Sequence, residues 1–309
     1  MLTKRAVIAV KLEGTEGTAE TLAAADADVL AFEPSFAPTI TMYERAEVTG
    51  SLSPFAQVAG SKMATITFSV NLRGSGAAGT APKIGKLLKV CGFGETVVAS
   101  TSVTYEPIST NIPSATIALY RDGLMKQIRG ARGTVTYSGK VGECGVLNFS
   151  FQGVYVGVTD TAILTGTGIE TTNPPVLLSA AFTIGSFAAK ISSISIDMGI
   201  KLAMRSDVNK AEGFFSCMYA GRSPKGNFDP EEEAVSVHDW YGRFKAGTSG
   251  ALTFQHSGGA GNICTISAPV VQYTGVSETS RDDIAAIGVD FALSRSAAAG
   301  NDEISVAFT

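Results

Sequence analysis

The stretch that decides the fold is Met63-Ala-Thr-Ile-Thr-Phe-Ser-Val-Asn-Leu72. Every second residue from Ile66 to Leu72 is apolar, and the residues between them are small and polar. Successive side chains of a strand point to opposite faces, so this pattern predicts an antiparallel strand with one buried and one wet face. The wet positions are Thr65, Thr67, Ser69 and Asn71.

The same alternation recurs further along the chain. It extends over residues 191–202 and returns in shorter form at 147–151 and 287–293. Turn signals separate such runs, as at Asp122-Gly123, a dipeptide that favours a tight hairpin. The chain is therefore predicted to be mainly β. The wet positions of the run at 191–202 include Ser193, Ser195 and Asp197.

One order of elements occurs twice in the chain. Residues 35–153 and 186–294 each follow the order strand, strand, helix, hairpin, strand, strand, and the copies open with Ser35-Phe36-Ala37 and Ser186-Phe187-Ala188. Self-similarity of this kind sets the architecture before any single motif does. It predicts two tandem antiparallel β-sandwich or barrel domains, each with one flanking α-helix.

The boundaries of these domains follow from composition. The first domain with its N-terminal segment is predicted to cover 1–158, a linker rich in Thr, Gly and Pro to cover 159–175, and the second domain to cover 176–309. Apolar residues at helical spacing predict the flanking helices at 82–91 and 237–246.

Bulk composition limits the possible functions. The 309 residues are 45% hydrophobic and 17% charged, which excludes a disordered chain. The net charge of −4 argues against a protein that grips nucleic acid, since that needs a basic face. None of the four cysteines lies in a C-x-x-C pair, so we expect buried free thiols in a reducing compartment.

Catalytic and cofactor-binding motifs are nearly absent. Gly74-Ser-Gly-Ala-Ala-Gly79 matches the dinucleotide-binding pattern G-x-G-x-x-G. The strand before it alternates, however, whereas the strand before a dinucleotide loop is buried on both faces. The two histidines, His238 and His256, do not have metal-ligand spacing. We therefore predict no enzymatic activity, no cofactor and no metal site.

One charged segment is a candidate contact site. From Arg222 to Glu233 basic residues come first and acidic residues follow, with Phe228 between them as an apolar anchor. Two interpretations stay open: a solvated surface loop, or a contact arm complementary in charge to a neighbouring subunit. Under the second, deleting the segment leaves a folded subunit that no longer polymerises. The candidate contact residues are Arg222, Lys225, Phe228, Asp229, Glu231, Glu232 and Glu233.

Short motifs follow one another in a fixed order from one end of the chain to the other. They are Ala6-Val-Ile-Ala-Val-Lys11, Glu13-Gly-Thr-Glu-Gly-Thr18, Gly74-Ser-Gly-Ala-Ala-Gly-Thr-Ala-Pro82, Leu87-Leu88, Cys91-Gly92-Phe93, Pro224-Lys-Gly-Asn-Phe-Asp-Pro230, His238-Asp-Trp240 and Asp302-Glu-Ile-Ser-Val-Ala-Phe308. In this order they resemble the major tail tube proteins of long-tailed, siphovirus-type bacteriophages. The resemblance covers nearly the whole chain.

The resemblance implies a structural virion protein with a β-sandwich or barrel subunit. Family members form stacked rings around a channel that conducts DNA during infection, and a ring usually holds six such domains. If this chain carries two, three chains would close a pseudo-sixfold ring. The wet strand faces then become candidates for the lumen lining. Three segments become candidates for ring-to-ring contacts. They are the loop 73–81, which begins with Arg73, the segment 222–233 and the N-terminal segment.

Partners and location are also implied by the resemblance. The chain would bind copies of itself, the tape measure protein and the tail terminator or tip proteins. Double-stranded DNA would pass through the lumen without specific binding, and no cofactor is implied. The protein would be made and assembled in the bacterial host cytoplasm and would end in the phage tail.

Two other functions fit the same strand pattern. One is a tandem β-sandwich binding module for a carbohydrate or a host surface, and the other is a tube protein of a contractile or secretion-type system. Carbohydrate sites often use exposed aromatic side chains, whereas Trp240 lies on an apolar helix stripe. This position speaks against the binding module.

Overall fold

The computed structural model describes residues 2–309, and strands dominate it. The strands of the first half are β1 (Ala6–Leu12), β2 (Ala31–Tyr43), β3 (Val58–Asn71), β4 (Phe93–Val98), β5 (Ser102–Pro107), β6 (Ala115–Arg121), β7 (Leu124–Lys140) and β8 (Val146–Asp160). Those of the second half are β9 (Thr183–Ile184), β10 (Ile191–Asp197), β11 (Ile200–Ser206), β12 (Phe214–Arg222), β13 (Lys225–Pro230), β14 (Ser249–His256), β15 (Cys264–Arg281), β16 (Ile284–Ser294) and β17 (Ser305–Phe308). The helices are α1 (Gly85–Val90) and α2 (Trp240–Ala246), and a 3-10 turn spans Ala24–Asp26.

The predicted strand at 63–72 lies almost entirely in β3. Buried and half-buried residues alternate from Ala64 to Leu72, as the sequence pattern requires. Asp122 and Gly123 connect β6 to β7 with φ angles of 46° and 99°, the left-handed values that a tight hairpin turn needs. The prediction of a mainly β, antiparallel sandwich fold is confirmed.

Eight strands drawn from both halves of the chain form one layer. Their order is β2-β3-β8-β7-β10-β13-β16-β15, and we call this layer the eight-strand sheet. The two halves join where β10 pairs antiparallel with the end of β7, from Ser193 opposite Lys140 to Asp197 opposite Thr136. The division of the chain into two tandem domains remains a prediction, because main-chain pairing crosses the predicted boundary here.

A second junction lies at the C-terminus. Strand β17 pairs on one side with β15 and on the other with β5 of the first half, where Val306 lies opposite Tyr105. Strand β4 then continues this sheet beyond β5. The C-terminal strand therefore ties the second half to the first by a route independent of β7 and β10.

The long strands β7 and β15 each belong to two layers. Their first parts pair with β6 and β14, which extend to β1 and β9. Their last parts belong to the eight-strand sheet, and the main apolar core, drawn from both halves, lies between the layers. Within this core Phe68, Phe149 and Phe151 lie with ring centroids 5.6–5.8 Å apart. The arrangement is that of two sheets packed face to face.

The two helices are shorter than predicted. Helix α1 begins at Gly85 and not at residue 82, because the Gly85 N–H bonds Pro82 O in a preceding turn. Helix α2 begins at Trp240 because the Asp239 carboxylate accepts a hydrogen bond of 2.7 Å from the Gly242 N–H. Gly247 ends α2 with a left-handed φ of 63°.

A buried histidine lies in the core beneath the eight-strand sheet. His256 is fully buried, and its Nε2 lies 2.6 Å from the hydroxyl of Tyr137. Burial disfavours the charged imidazolium and lowers the pKa of His256 to about 4 from an ordinary 6.5. Neutral His256 therefore belongs to the native state, and its protonation favours unfolding.

We expect His256 to make the protein acid-sensitive. A histidine whose pKa is lowered by folding contributes its full stability above pH 6.5 and loses it as the pH falls towards 4. The loss amounts to about 3 kcal/mol in the free energy of unfolding. Urea unfolding at pH 7 and pH 4 should show this loss in the natural protein and not in His256→Gln. Equal losses in both would show that carboxylates alone carry the acid sensitivity.

Candidate functional site: the polar face and the charged segments

Polar side chains cover one face of the eight-strand sheet. One row runs across five adjacent strands through Ser69, Asn148, Thr136, Asp197 and Lys225, each directly opposite the next. Residues opposite one another on neighbouring strands project to the same side of a sheet. The wet positions of β3 and of β10 therefore lie on a single surface, which we call the polar face.

The other predicted wet positions lie on the polar face too. Thr67 lies opposite Ser150, and Ser195 lies between Ser138 on one side and Asn227 on the other. Ser193 lies opposite Lys140 at the margin. All of these predicted wet positions are half-buried by their neighbours in the sheet, namely Thr65, Thr67, Ser69, Asn71, Ser193, Ser195 and Asp197.

Hydrogen bonds within the polar face join side chains on neighbouring strands. The Ser69 hydroxyl donates to Asn148 Oδ1 at 2.6 Å, and the Thr136 hydroxyl donates to Asp197 Oδ1 at 3.3 Å. Charges of both signs lie on this face, since Asp197 lies opposite Lys225, Asp290 opposite Asn227 and Lys140 opposite Ser193. A face of this kind holds water and offers no basic stripe to a phosphate backbone.

Arg222 is held within its own chain. Its guanidinium donates to Glu303 at 3.0 Å, to Asn301 Oδ1 at 2.7 Å and to Ile108 O at 2.9 Å. Its side chain is only 11% exposed. Arg222 therefore ties β12 to the C-terminal segment and to the loop after β5.

The acidic residues that follow form a second internal network. Asp229 accepts the N–H groups of Ser192 and Ser193 at 2.9 and 2.7 Å. Arg281 lies 3.1 Å from Glu231, and Lys190 lies 3.3 Å from Glu233. The two carboxylates of Glu233 and Glu231 raise the pKa of Lys190. Within the predicted contact segment, Lys225 and Glu232 stay exposed.

The prediction of a loop at 222–233 is wrong for its centre. Residues 225–230 form strand β13, which pairs with β10 on one side and β16 on the other. Phe228 is 2% exposed and packs in the core. Glycine, proline and charges indicated a loop, but pairing on both sides overrides that local preference. Deleting 222–233 would remove a central strand, so the expectation that the subunit still folds is wrong.

Arg73 and the glycine-rich loop pack against the other half of the chain. Arg73 donates to Thr172 O at 3.2 Å in the predicted linker. The Gly74 N–H binds Asn262 Oδ1 at 2.8 Å, and the Gly76 N–H binds Gly261 O at 3.2 Å. These N–H groups are already used and do not form an open cradle for a phosphate. The glycine at 74 is required because a Cβ there would lie 2.0 Å from Gly261 O.

The comparison with known families accounts for this architecture. A model of the phage tail tube protein family matches residues 3–309. The chain belongs to this family. No curated protein matches it.

Family membership gives the chain a structural role. As a tail tube protein it is a component of the virion and assembles into a multi-subunit tail. Within residues 2–309 no group of three or more His, Cys, Asp or Glu side chains could hold a metal ion. Neither described helix is long and apolar enough to span a membrane.

Sequence reasoning missed one surface of this tail tube protein, the hairpin of β2 and β3 with its connecting loop. Except for Phe55, every residue from 37 to 59 is exposed, and we call this segment the arm. It carries apolar side chains that include Val48, 96% exposed, and Tyr43, 59% exposed. The run 39–48 gave no signal of exposure, because Ile40, Met42, Ala46 and Val48 alternate with mostly polar residues, as in a strand packed on a core.

Proposed function

We propose that the protein assembles as closed rings, and that the rings stack into a hollow tail tube through which DNA passes into the host. The observation that carries the proposal is the polar face, continuous across strands of both halves. The opposite face of the same sheet packs on the chain's own core. Copies that close into a cylinder can therefore line a wet channel with the polar face.

The internal repeat supports a ring of three chains. The eight-strand sheet consists of four strands from each half in the same spatial order. Each half then stands for one of the six domains of a family ring, and three chains complete it. The predicted division into tandem domains is part of this proposal.

The chemistry of the polar face supports passage of DNA without binding. Hydroxyl and amide groups predominate, and the charges are mixed in sign, since the polar face carries Asp197 and Asp290 as well as Lys225 and Lys140. Tight non-specific binding of DNA requires many Lys or Arg contacts to phosphates. A duplex can therefore slide along this surface.

Contacts between rings are assigned to the arm and to the exposed parts of the charged segments. Large exposed apolar patches mark interaction surfaces, and Val48 and Leu52 are fully exposed in the isolated chain. Lys225 and Glu232 can add charge complementarity, as can the loop that begins at Arg73. The arm is the stronger candidate, since Arg222, Asp229 and Glu231 already have partners in their own chain.

The remaining partners follow from the role in the tail. We expect the tape measure protein to occupy the lumen before DNA enters, and terminator and tip proteins to bind the two ends of the tube. Assembly takes place in the cytoplasm of the bacterial host, and the product is part of the virion.

The proposal predicts hollow tubes in negative-stain images of the purified protein at high concentration. In a Cys144→Ser background, Ser195→Cys labelled with a maleimide gold cluster should place gold along the tube axis. The matched variant Leu52→Cys, on the arm, should place gold away from the axis. The background substitution removes the one cysteine that is not buried.

Two outcomes would contradict the proposal. A protein that stays monomeric at every concentration would favour a binding module. Tubes with the Ser195 label on their outer surface would keep the tube and refute the assignment of the polar face to the lumen.

A further inference from the structure

A half-open cavity lies between the eight-strand sheet and β14, at the end where β10 begins. Its volume is about 220 Å³. The floor is apolar, since it consists of the buried side chains of Phe182, Ile194 and Phe254. The exposed side chains of Leu178 and Lys190 lie at the mouth. A cavity with these walls accepts an apolar group.

One wall of the cavity has a strained backbone. Ser179 and Ala181 have φ angles of 50° and 47°, left-handed values that only glycine adopts freely. Between them, Ala180 O accepts a hydrogen bond of 2.8 Å from the Gln255 N–H, which holds this wall against β14. Strain of this kind persists where the surrounding structure fixes it, and it is concentrated at binding sites.

The first half of the chain fills the equivalent space itself. Core-facing residues have the same spacing in β2 and β10, at 31, 34 and 36 and at 191, 194 and 196. Two positions before each set, the first half has Val29, 6% exposed, and the second half has the smaller Ala189. Beside Val29 a cavity of only about 10 Å³ remains. The cavity of the second half therefore has room for a further apolar side chain.

The hairpin of β11 and β12 carries such a side chain at its tip. Val208 is 98% exposed. The Asp207 carboxylate beside it accepts hydrogen bonds of 2.9 and 3.1 Å from the main-chain and side-chain N–H groups of Asn209. The Asp207 N–H in turn donates to Gly213 O at 3.0 Å. The turn is thus preorganised, so binding through Val208 costs little conformational entropy.

The tip and the cavity lie at opposite ends of the eight-strand sheet. Strands β2 and β10 run in the same direction, because successive antiparallel pairings through β3, β8 and β7 connect them. The cavity lies where β10 begins. The tip lies near the end of β2, since Glu212 O accepts the N–H of Lys62, which is opposite Ile40. Rings that stack head to tail bring the two ends together.

We infer that Val208 of one chain inserts into this cavity of a chain in the next ring. The inference rests on the proposed stacking of rings, and the partner is a second copy of this chain. It adds a contact to those assigned to the arm. The tip and the cavity are different surfaces, so the contact repeats along the tube without closing.

Charges around the two surfaces are complementary. At the mouth of the cavity, the three glutamates of 231–233 outnumber their partners Lys190 and Arg281. At the tip, Lys210 is exposed, while the Asp207 carboxylate accepts hydrogen bonds within the turn. A basic tip therefore meets an acidic rim, which favours this orientation of the partner.

The arm is the alternative occupant of the cavity. Leu52 is also fully exposed. Among the described residues, no hydrogen bond joins 45–55 to the body of the chain, so insertion of the arm would cost more conformational entropy. The neighbours of Leu52 are Ser51 and Ser53, which offer no charge to the acidic rim. Occupation by the arm would refute the inference.

Substitutions at both surfaces test the inference. Val208→Asp should raise the concentration at which tubes form about tenfold, because an unpaired carboxylate would enter an apolar cavity. The matched control, Val208→Ile, should form tubes like the natural chain. Ala189→Leu fills the cavity from within and should impair assembly as Val208→Asp does. Circular dichroism and urea unfolding verify that the variants fold.

A disulfide identifies the occupant. Val208→Cys with Leu178→Cys, in a Cys144→Ser background, should link chains of successive rings on mild oxidation. A non-reducing gel should then show a ladder that extends beyond three chains, whereas a contact within a ring of three would stop at the trimer. The matched control in the same background, Leu52→Cys with Leu178→Cys, should yield about tenfold less product.

The possible results separate this inference from the proposed function. If the natural chain forms no tubes, the proposed function fails. If tubes form but Val208→Asp assembles like the natural chain, or if the 208/178 pair cross-links no better than the 52/178 pair, the inference fails. Hydrogen exchange of the natural chain covers cysteine variants that do not assemble. Amides of 178–182 and 207–210 should gain protection on tube formation, and unchanged exchange in either segment would overturn the inference.

Discussion

Replacing Phe228 with alanine should lower the free energy of unfolding by about 3–5 kcal/mol. Phe228 is 2% exposed, and its ring centroid lies 5.5–6.4 Å from those of Phe182, Trp240, Tyr273 and Phe291. The substitution removes a large apolar side chain from the core. It leaves a cavity that aromatic rings anchored on several strands cannot close.

Asn227→Ala is the matched control for this experiment. Asn227 directly precedes Phe228 on β13 and points to the polar face, where it is exposed. Its substitution should change the unfolding free energy by less than about 1 kcal/mol. Urea unfolding followed by circular dichroism measures both variants. A loss below 1 kcal/mol in Phe228→Ala would mean that the segment 222–233 is the solvated loop that its composition indicates.

Replacing Arg132 with alanine should cost about 2–4 kcal/mol of unfolding free energy. The Arg132 side chain is 9% exposed and donates to Glu16 at 2.8 Å and to Ile112 O at 2.7 Å, as well as to Cys217 O. It thus fastens the N-terminal segment and the hairpin of β11 and β12 to β7. Removal leaves buried carbonyl groups and a carboxylate without their donor, and such groups are costly.

Arg205→Ala separates the buried pair from a surface charge effect. Arg205 lies 3.4 Å from the same Glu16, but its side chain is 45% exposed. Exposed ion pairs contribute less than about 1 kcal/mol, so this variant should unfold almost like the natural protein. If both variants lost the same unfolding free energy, the buried hydrogen bonds of Arg132 would contribute nothing beyond the attraction of a positive charge to Glu16.

The protonation of Glu16 gives a second measurement. Burial raises its pKa, but hydrogen bonds from Arg132 and Ser216 outweigh burial and keep the pKa below its ordinary value of 4.5. The stability contributed by Glu16 is therefore present above pH 4.5 and disappears as the pH falls through the lowered pKa. In Arg132→Ala this part of the acid dependence should shrink.

Local pattern predicted much of what the strands do. The alternation at 63–72 and 191–202 identified strands and the side chains of their polar faces. The second run is divided, however, because β10 ends at Asp197 and residues from 200 onward belong to β11, which lies in a separate sheet with β12. The hairpin at Asp122-Gly123 was readable because few residues accept two successive positive φ angles. A few adjacent residues were enough for each of these predictions, since they carry the periodicity of a strand and the dihedral preferences of a turn.

The predicted contact segment shows where local reading fails. Pro224, Gly226 and Pro230 indicate a loop, and only the neighbours on both sides make residues 225–230 a strand. Phe228 likewise became a core residue because α2 and β16 bring aromatic side chains to it. The exposed arm went unnoticed for the opposite reason, since its apolar residues suggested burial.

The amino-acid sequence by itself determined the antiparallel strands, their polar and apolar sides and the hairpin turns. The predicted repetition in the order of elements is wrong in detail, because two strands precede α1 in the first copy and four precede α2 in the second. Tertiary structure alone decided that β10 lies beside β7, that β17 lies beside β5, and that both sets of polar positions share one surface. The physical reason is that strands pair through main-chain N–H and C=O groups, which nearly every residue possesses. The choice among possible neighbours depends on how the whole core packs, and no local pattern records it.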